Sequence, residues 1–150
     1  MKIYNRRFRR EYREIEKYEA GISLTGAEVK SIRAGRLKLE DAFVKIMTSG
    51  AYIVNAEIPI YQYAQPQGYD SRRSRKLLLH KQELVRLKTK LNSGRGLTIV
   101  PVSCYNKGGL IKLEIALAKG RREIEKKKLE KKRDIKREEE REMKEYIKRG

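Results

Sequence analysis

The chain has 150 residues, room for one hydrophobic core plus an appendage, and carries 38 Lys and Arg against 20 Asp and Glu for a net charge of +18. A charge excess of this size costs self-repulsion and is offset by a polyanionic partner, either nucleic acid or an anionic membrane surface. The longest apolar runs, 77–79 and 97–102, are strand-sized, and the N-terminus mixes Arg with Glu without an apolar core, which argues against a membrane span, a membrane-surface helix and a signal peptide. Cys104 is the single cysteine, so an internal disulfide and a Cys-based zinc site are excluded and a reducing cytosol fits. Its plainest reading is a small residue in a strand.

In chain order, Ile15 to Leu24 is the first strand candidate. Thr25 with Glu28 three residues later has the form of a capping box; a helix follows with Val29 and Ile32 inward, ends at Ala34-Gly35, and turns Lys30, Arg33 and, just beyond, Arg36 outward. Ala42 to Met47 predicts a second strand, and Tyr52, Val54, Ala56, Ile58 and Ile60 alternate with more polar residues as a third. Lys76 to Leu79 predicts a short strand in which Leu78, the middle of three leucines, faces away from its neighbours. Lys81 to Leu91 predicts a helix with Leu84, Leu87 and Leu91 on one face, stopping near Asn92 and Gly94. Thr98, Val100, Val102 and Cys104 alternate in a strand that turns at 106–109 into Ile111, Leu113, Ile115 and Leu117, a hairpin. Pro101 inside it predicts an edge, bulge or bend, because proline cannot donate to the ladder. About six strands with few helices predict a mainly β fold: a closed or nearly closed antiparallel barrel, of which the oligonucleotide-binding fold is the nucleic-acid version, with a sandwich as the alternative.

Beyond Ala118 the chain is mostly charge. The body, 1–118, holds 23 basic and 11 acidic residues, and the tail, 119–150, holds 15 and 9. The greater excess therefore sits on the folded part, which points to a shaped RNA surface rather than a nonspecific arm. In the tail, Glu123 with Lys127, Glu140 with Lys144 and Glu145 with Arg149 have helical spacing worth only ~0.2–0.5 kcal/mol each. Ile124, Leu129, Ile135, Met143, Tyr146 and Ile147 form no heptad, so a coiled coil is not expected; the tail is predicted disordered alone and helical on contact with RNA.

Chemistry-bearing residues are few. His80 is the sole histidine, no glycine run has phosphate-loop spacing, and Glu28, Glu40, Asp41 and Glu57 read as surface residues or caps. No enzyme, cofactor or metal is expected. A metal-dependent nuclease and another basic translation component, such as a ribosomal protein or tRNA-binding factor, remain as alternatives.

The segment 19–36, Glu-Ala-Gly-Ile-Ser-Leu-Thr-Gly-Ala-Glu-Val-Lys-Ser-Ile-Arg-Ala-Gly-Arg, resembles the signature of the small protein B family, the SsrA-binding (tmRNA-binding) proteins of bacterial trans-translation. The resemblance extends to Asn5, 75–80, 96–101 and 116–120, essentially the whole chain. It implies a closed six-stranded oligonucleotide-binding-type barrel with two or three short helices that holds the tRNA-like domain of tmRNA. It also implies a tail that follows into the ribosome's decoding site and mRNA channel, and delivery with elongation factor Tu and alanyl-tmRNA. The expected protein is a cytoplasmic monomer that rescues stalled ribosomes and leads to tagging of the unfinished peptide. The resemblance places tmRNA contacts at Glu19, Leu78 and His80, which would otherwise read as a solvated strand residue, a core residue and a surface or N-cap histidine. A carboxylate accepts from base amines, and an imidazole both stacks and hydrogen-bonds. Lys30, Arg33, Arg36, Arg72, Arg73, Arg75 and Lys76 are the predicted phosphate contacts, against the alternative of a generic basic face. In the tail, Lys119, Gly120, Arg121, Ile124, Lys126, Lys127, Lys131 and Lys132 are expected to meet the ribosome. Many relatives have an aromatic residue or His followed by Asp-Lys-Arg where this chain has Ile124, Glu125, Lys126 and Lys127, and isoleucine cannot stack as a ring does.

Overall fold

A computed structural model describes residues 1–61 and 68–149. The elements are β1 (Lys2–Tyr4), α1 (Phe8–Glu11), β2 (Tyr12–Ile22), α2 (Gly26–Arg33), β3 (Phe43–Met47), β4 (Gly50–Val54), β5 (Arg75–Leu78), α3 (Lys81–Ser93), β6 (Leu97–Lys107), β7 (Leu110–Gly120) and α4 (Glu123–Arg149). They divide into a body, Met1–Gly120, and a tail, Arg121–Gly150.

The body is one antiparallel sheet in the order β1-β6-β3-β4-β5-β2-β7, and β6 pairs with β7 as well. The pairings thus run from β6 through β3, β4, β5, β2 and β7 back to β6, although the β3–β6 link is the single pair Val44–Ile99. Period-two alternation aims Val44, Ile53, Leu77, Ile99, Leu113, Ile115 and Leu117 into one core, where Ile32 of α2 and Leu87 of α3 join them. Each such side chain contributes ~1.5–3 kcal/mol on burial. A second cluster lies on Val100, Ala116 and Ala118, capped by Phe8, whose ring stacks on Tyr12 at 6.2 Å. Cys104 is buried in the main core, and burial pushes its thiol up to about 12.

Several expectations change. The sheet has a seventh strand, β1, too short and mixed to show in the sequence pattern. The strand expected over 52–60 stops at Val54, because Asn55 takes a left-handed backbone (φ 65°). The phase of burial also shifts there: Ala51 and Ile53 are the buried residues of β4, so Tyr52 and Val54 turn outward, and only after Asn55 do Ala56 and Ile58 of the expected alternating set turn inward, where Glu57 exchanges backbone hydrogen bonds with Lys38 at 2.9 and 3.0 Å. The expected bend at Pro101 is a register shift between Pro101 and Ser103, held by Asn5, whose Nδ2 donates to the Pro101 carbonyl at 2.8 Å. β7 keeps Lys119 and Gly120 in its ladder with β2, opposite Arg13 and Tyr12, so the body ends two residues later than 118.

The tail is α4, one helix of 27 residues. Lys, Arg and Glu are good helix formers, and the length exceeds the ~12–15 residues below which an isolated helix is marginal. Arg141 lies 4.0 Å from Glu138, whereas Glu140 and Lys144 are not in ion-pair contact. The expected pairs Glu123–Lys127 and Glu145–Arg149 each include a side chain outside the described ones. No helix among the described residues is long and apolar enough to cross a membrane.

Candidate nucleic-acid interface

Glu19, Leu78 and His80 converge on one outward corner of the sheet. β2 and β5 pair with Gly21 opposite Leu78 and Ile22 opposite Leu77. Side chains directly opposite share a face, so Leu77 turns into the core, 2% exposed, and Leu78 turns out, 59% exposed. Glu19, two residues before Gly21, is on that outward face too. His80, two residues past Leu78 in extended backbone, completes the corner. Gly21 makes the approach possible: a Cβ there would meet the Leu78 Cβ at 3.2 Å.

His80 is the N-cap of α3, with its backbone N–H donating to Glu83 Oε1 at 3.0 Å and its ring exposed. α3 is tethered alongside β2 by Glu16, which accepts from Arg86 at 3.0 Å and from Lys90. The Lys90 ammonium, the Tyr18 hydroxyl and Arg86 bring Glu16 down to about 2. It therefore stays ionised across the physiological range and keeps α3 in place.

Glu19 has partners that sequence reasoning missed. Tyr105 donates its hydroxyl to Glu19 Oε2, and Lys107 Nζ lies 3.2 Å from Oε1. Tyr105 first and Lys107 second hold the Glu19 carboxyl below the ordinary value, while burial and then Glu19 push Tyr105 up to about 12. Lys2 Nζ stands 5.9 Å from the Tyr105 ring centroid. The sequence signal available was alternation on β6, which puts Tyr105 and Lys107 on one face, but nothing local tied that face to Glu19, 86 residues away.

The predicted phosphate contacts separate into three environments. Lys30, Arg33 and Arg36 at the end of α2 are exposed: Lys30 sits over the Tyr61 ring at 5.6 Å, Arg33 donates to the Gly109 carbonyl at 3.1 Å, and Arg36 donates to the Ile60 carbonyl at 3.2 Å. Lys76 is exposed on β5, and Arg72 donates to Asn55 Oδ1 at 2.9 Å. Arg75 is a correction: it is 0% exposed and cannot reach a phosphate. Its Nε donates to Glu28, Nη1 to the carbonyls of Ala56 and Arg73 at 3.1 and 3.0 Å, and Nη2 to that of Ser71 at 3.1 Å. Glu28 is equally buried, also takes both Arg73 donors, and closes the capping box with Thr25. Burial acts to raise its pKa, but Arg73, the Thr25 N–H and Arg75 outweigh this and leave it lowered. Arg73 is thus shared between a structural carboxylate and the surface.

A further basic cleft of about 900 Å³ lies between β1, the end of α2 and segment 37–41, lined by Arg33 and Arg72 together with Lys2, Arg6, Arg7 and Lys38. Its charge is partly neutralised in place, Arg7 with Asp41 at 2.9 Å and Arg72 with Glu57 at 3.8 Å. In the tail, Lys119 and Gly120 are the end of β7, and Arg121 begins the tail. Ile124, Lys127 and Lys131 share one face of α4 by their i, i+3, i+7 spacing, with Lys132 to its side and Lys126 turned toward the opposite face. Among the described residues no group of three His, Cys, Asp or Glu could hold a metal ion.

The family model described as SmpB protein matches residues 2–145. The SsrA-binding protein of Sulfurihydrogenibium sp. (strain YO3AOP1) is 48% identical over 144 residues, spanning 96% of this chain and 94% of that protein. That of Deinococcus radiodurans is 43% identical over 134 residues, 89% and 93% of the two chains. A chain of the solved structure described as "tmRNA-SmpB: a journey to the center of the bacterial ribosome" superposes with a TM-score of 0.67 at 42% identity, covering 81% of this chain and 85% of that one.

Proposed function

The chain belongs to the SmpB protein family, and from that premise we propose that it binds the tRNA-like domain of tmRNA and brings it to stalled ribosomes for trans-translation. The observation that carries the reading is the convergence of Glu19, Leu78 and His80 on one exposed corner of a body with a net charge of +13 over Met1–Gly120. An ionised carboxylate offers acceptors to exocyclic amines, an exposed leucine offers an apolar seat for an unstacked base, and an exposed imidazole offers both stacking and a hydrogen bond. Lys30, Arg33, Arg36, Arg72 and Lys76 then fix the orientation of the RNA through its phosphates. The protein acts by binding and supplies no reacting group.

In this reading the circuit of strands is a closed barrel of the oligonucleotide-binding type, whose rigidity holds the corner in register. α4 occupies the vacant mRNA channel by the decoding site, with Lys126, Lys127, Lys131 and Lys132 against ribosomal RNA phosphates. Elongation factor Tu with alanyl-tmRNA, a monomeric state and a cytoplasmic location complete the proposal. The test is to identify the RNA that copurifies with the protein from its own cells and to measure its affinity against salt. tmRNA should dominate, with log Kd rising by ~0.7–0.9 per phosphate contact for each unit of log salt. Enrichment of ribosomal RNA or tRNA without tmRNA would refute it.

A further inference from the structure

We propose that Tyr105 is a positioning residue that aims the Glu19 carboxylate at the RNA, and that Lys107 is the group Glu19 releases when the RNA arrives. The inference rests on the reading of Glu19 as an RNA contact and adds what sets its orientation. Glu19 and Tyr105 are not on neighbouring strands. β7 lies between β2 and β6, with its Glu114 opposite Glu19 and its Lys112 opposite Tyr105. Two strand spacings put the backbones of β2 and β6 ~9–10 Å apart, so a long side chain from each is needed to span the gap. The phenol does so, and its hydroxyl donates to Glu19 Oε2 across the outward face of β7. Tyrosine has few rotatable bonds to freeze, and Lys2, directly opposite on β1, stands over this ring at 5.9 Å from its centroid. Holding one carboxylate oxygen on an anchored ring removes rotamer freedom from Glu19 before any RNA binds, so that cost is not met at the moment of association.

The other oxygen is held more loosely. Lys107 Nζ lies 3.2 Å from Oε1 and 3.4 Å from Oε2, and the lysine side chain is 65% exposed. An exposed ion pair of this kind is weak and readily exchanged. Its backbone, by contrast, is anchored: Lys107 closes the β6–β7 hairpin opposite Leu110, at a turn in which Gly108 and Gly109 both have positive φ (58° and 78°). Arg33 ties that turn to α2 through the Gly109 carbonyl at 3.1 Å. The hairpin therefore delivers the ammonium to the corner and leaves its last bonds free to swing. Neighbouring charges do not take over either role: Glu114 is paired with Lys17 at 3.2 Å, and Lys112 acts on Glu19 only through space. A base amine donating to Oε1 displaces Lys107, and the freed ammonium meets a phosphate beside that base, trading one charge-assisted contact for another. Tyr105 keeps Oε2 throughout.

The experiment is a double-mutant cycle on the full chain, read as affinity for the tRNA-like domain of tmRNA over a range of salt. Tyr105→Phe keeps the ring and removes only the hydroxyl. It should weaken binding on the order of 10-fold with Tm unchanged, as loss of a hydrogen bond to a charged group does, and should change affinity less than about 2-fold when Glu19 is already alanine. In a carboxyl-carbon NMR titration Glu19, held below its ordinary value by Tyr105 first and Lys107 second, should titrate higher in Tyr105→Phe. Lys107→Met should reduce the slope of log Kd on log salt by ~0.7–0.9, one phosphate contact. Equal losses from Tyr105→Phe with and without Glu19, or a Glu19 titration that does not move, would overturn the positioning role, and an unchanged salt slope in Lys107→Met would overturn the exchange. Glu19→Ala alone judges the underlying reading: if it binds like the parent, both fall, whereas if it binds weakly while Tyr105→Phe binds normally, only the role of Tyr105 does.

Discussion

Glu28 and Arg75 supply the sharpest stability prediction. Both are 0% exposed, and the carboxylate receives Arg75, Arg73 and the Thr25 N–H at once. Glu28→Ala leaves the Arg75 guanidinium buried without its counter-charge, a loss of ~3–5 kcal/mol, with the capping box adding up to ~1 kcal/mol. For a body of this size each kcal/mol lowers Tm by roughly 3–5 °C, so a fall of roughly 10–30 °C is expected. Urea unfolding followed by tyrosine fluorescence reads the body, since eight of the nine tyrosines lie before Lys119. Because the folded pKa of Glu28 is lowered from 4.5, its contribution is complete above the unfolded value and is lost as pH falls through the lower folded one. The gap between parent and Glu28→Ala should therefore shrink below about pH 4.5. Paired Glu28→Gln and Arg75→Met should recover part of the loss, as replacement of buried ion pairs by uncharged residues often does. If Glu28→Ala costs less than ~1 kcal/mol, or if Arg75→Met reduces the salt dependence of RNA binding in the still-folded protein, Arg75 is not the buried structural cation described here.

Glu19→Ala and His80→Ala should each weaken tmRNA binding roughly 5- to 150-fold, the range for a lost base contact, with Tm unchanged; a variant that merely unfolds would make its residue structural. Gly21→Ala should push Leu78 aside, because its new Cβ meets the Leu78 Cβ at 3.2 Å, and should lower tmRNA affinity more than it lowers Tm, as paired binding and melting curves would reveal. A chain ending at Gly120 should keep the fold and most tmRNA binding but lose tagging in a reconstituted stalled-ribosome assay; full tagging would refute a role for the tail. In that assay Ile124→Ala should cost less than reversing the charges at Lys126, Lys127, Lys131 and Lys132, and equal losses would mean that the apolar contact matters as much as phosphate attraction.

Alternation made the long strands readable in the sequence, and the Thr25–Glu28 box located α2 to the residue. What escaped depended on partners distant in the chain. β1 is a strand only because β6 offers it a ladder at 103–105, and three mixed residues carry no periodicity of their own. Asn55 shifts the phase of burial by one residue, so the period that grouped Tyr52 and Val54 with Ala56 and Ile58 named the inward residues only after it; before it they are Ala51 and Ile53. Arg75 looked like Arg72 and Lys76 because a basic cluster does not reveal which member points inward; its position, two before Leu77 on the inward phase, was the available clue. Glu19 and Leu78 were recoverable from motif and phase, but the Tyr105–Lys107 support was not.

Cys104 gives this fold a reporter that needs no mutation. It is the single cysteine, 1% exposed, and burial pushes its thiol up to about 12, so neither access nor thiolate is available while β6 stays in place. A thiol-reactive dye would label only molecules in which β6 has separated from its neighbours, at a rate set by how often that opening occurs. The tail has no cysteine, so its motions would be silent in such a trace, and any slowing of labelling on addition of RNA would measure how firmly the ligand clasps the sheet shut.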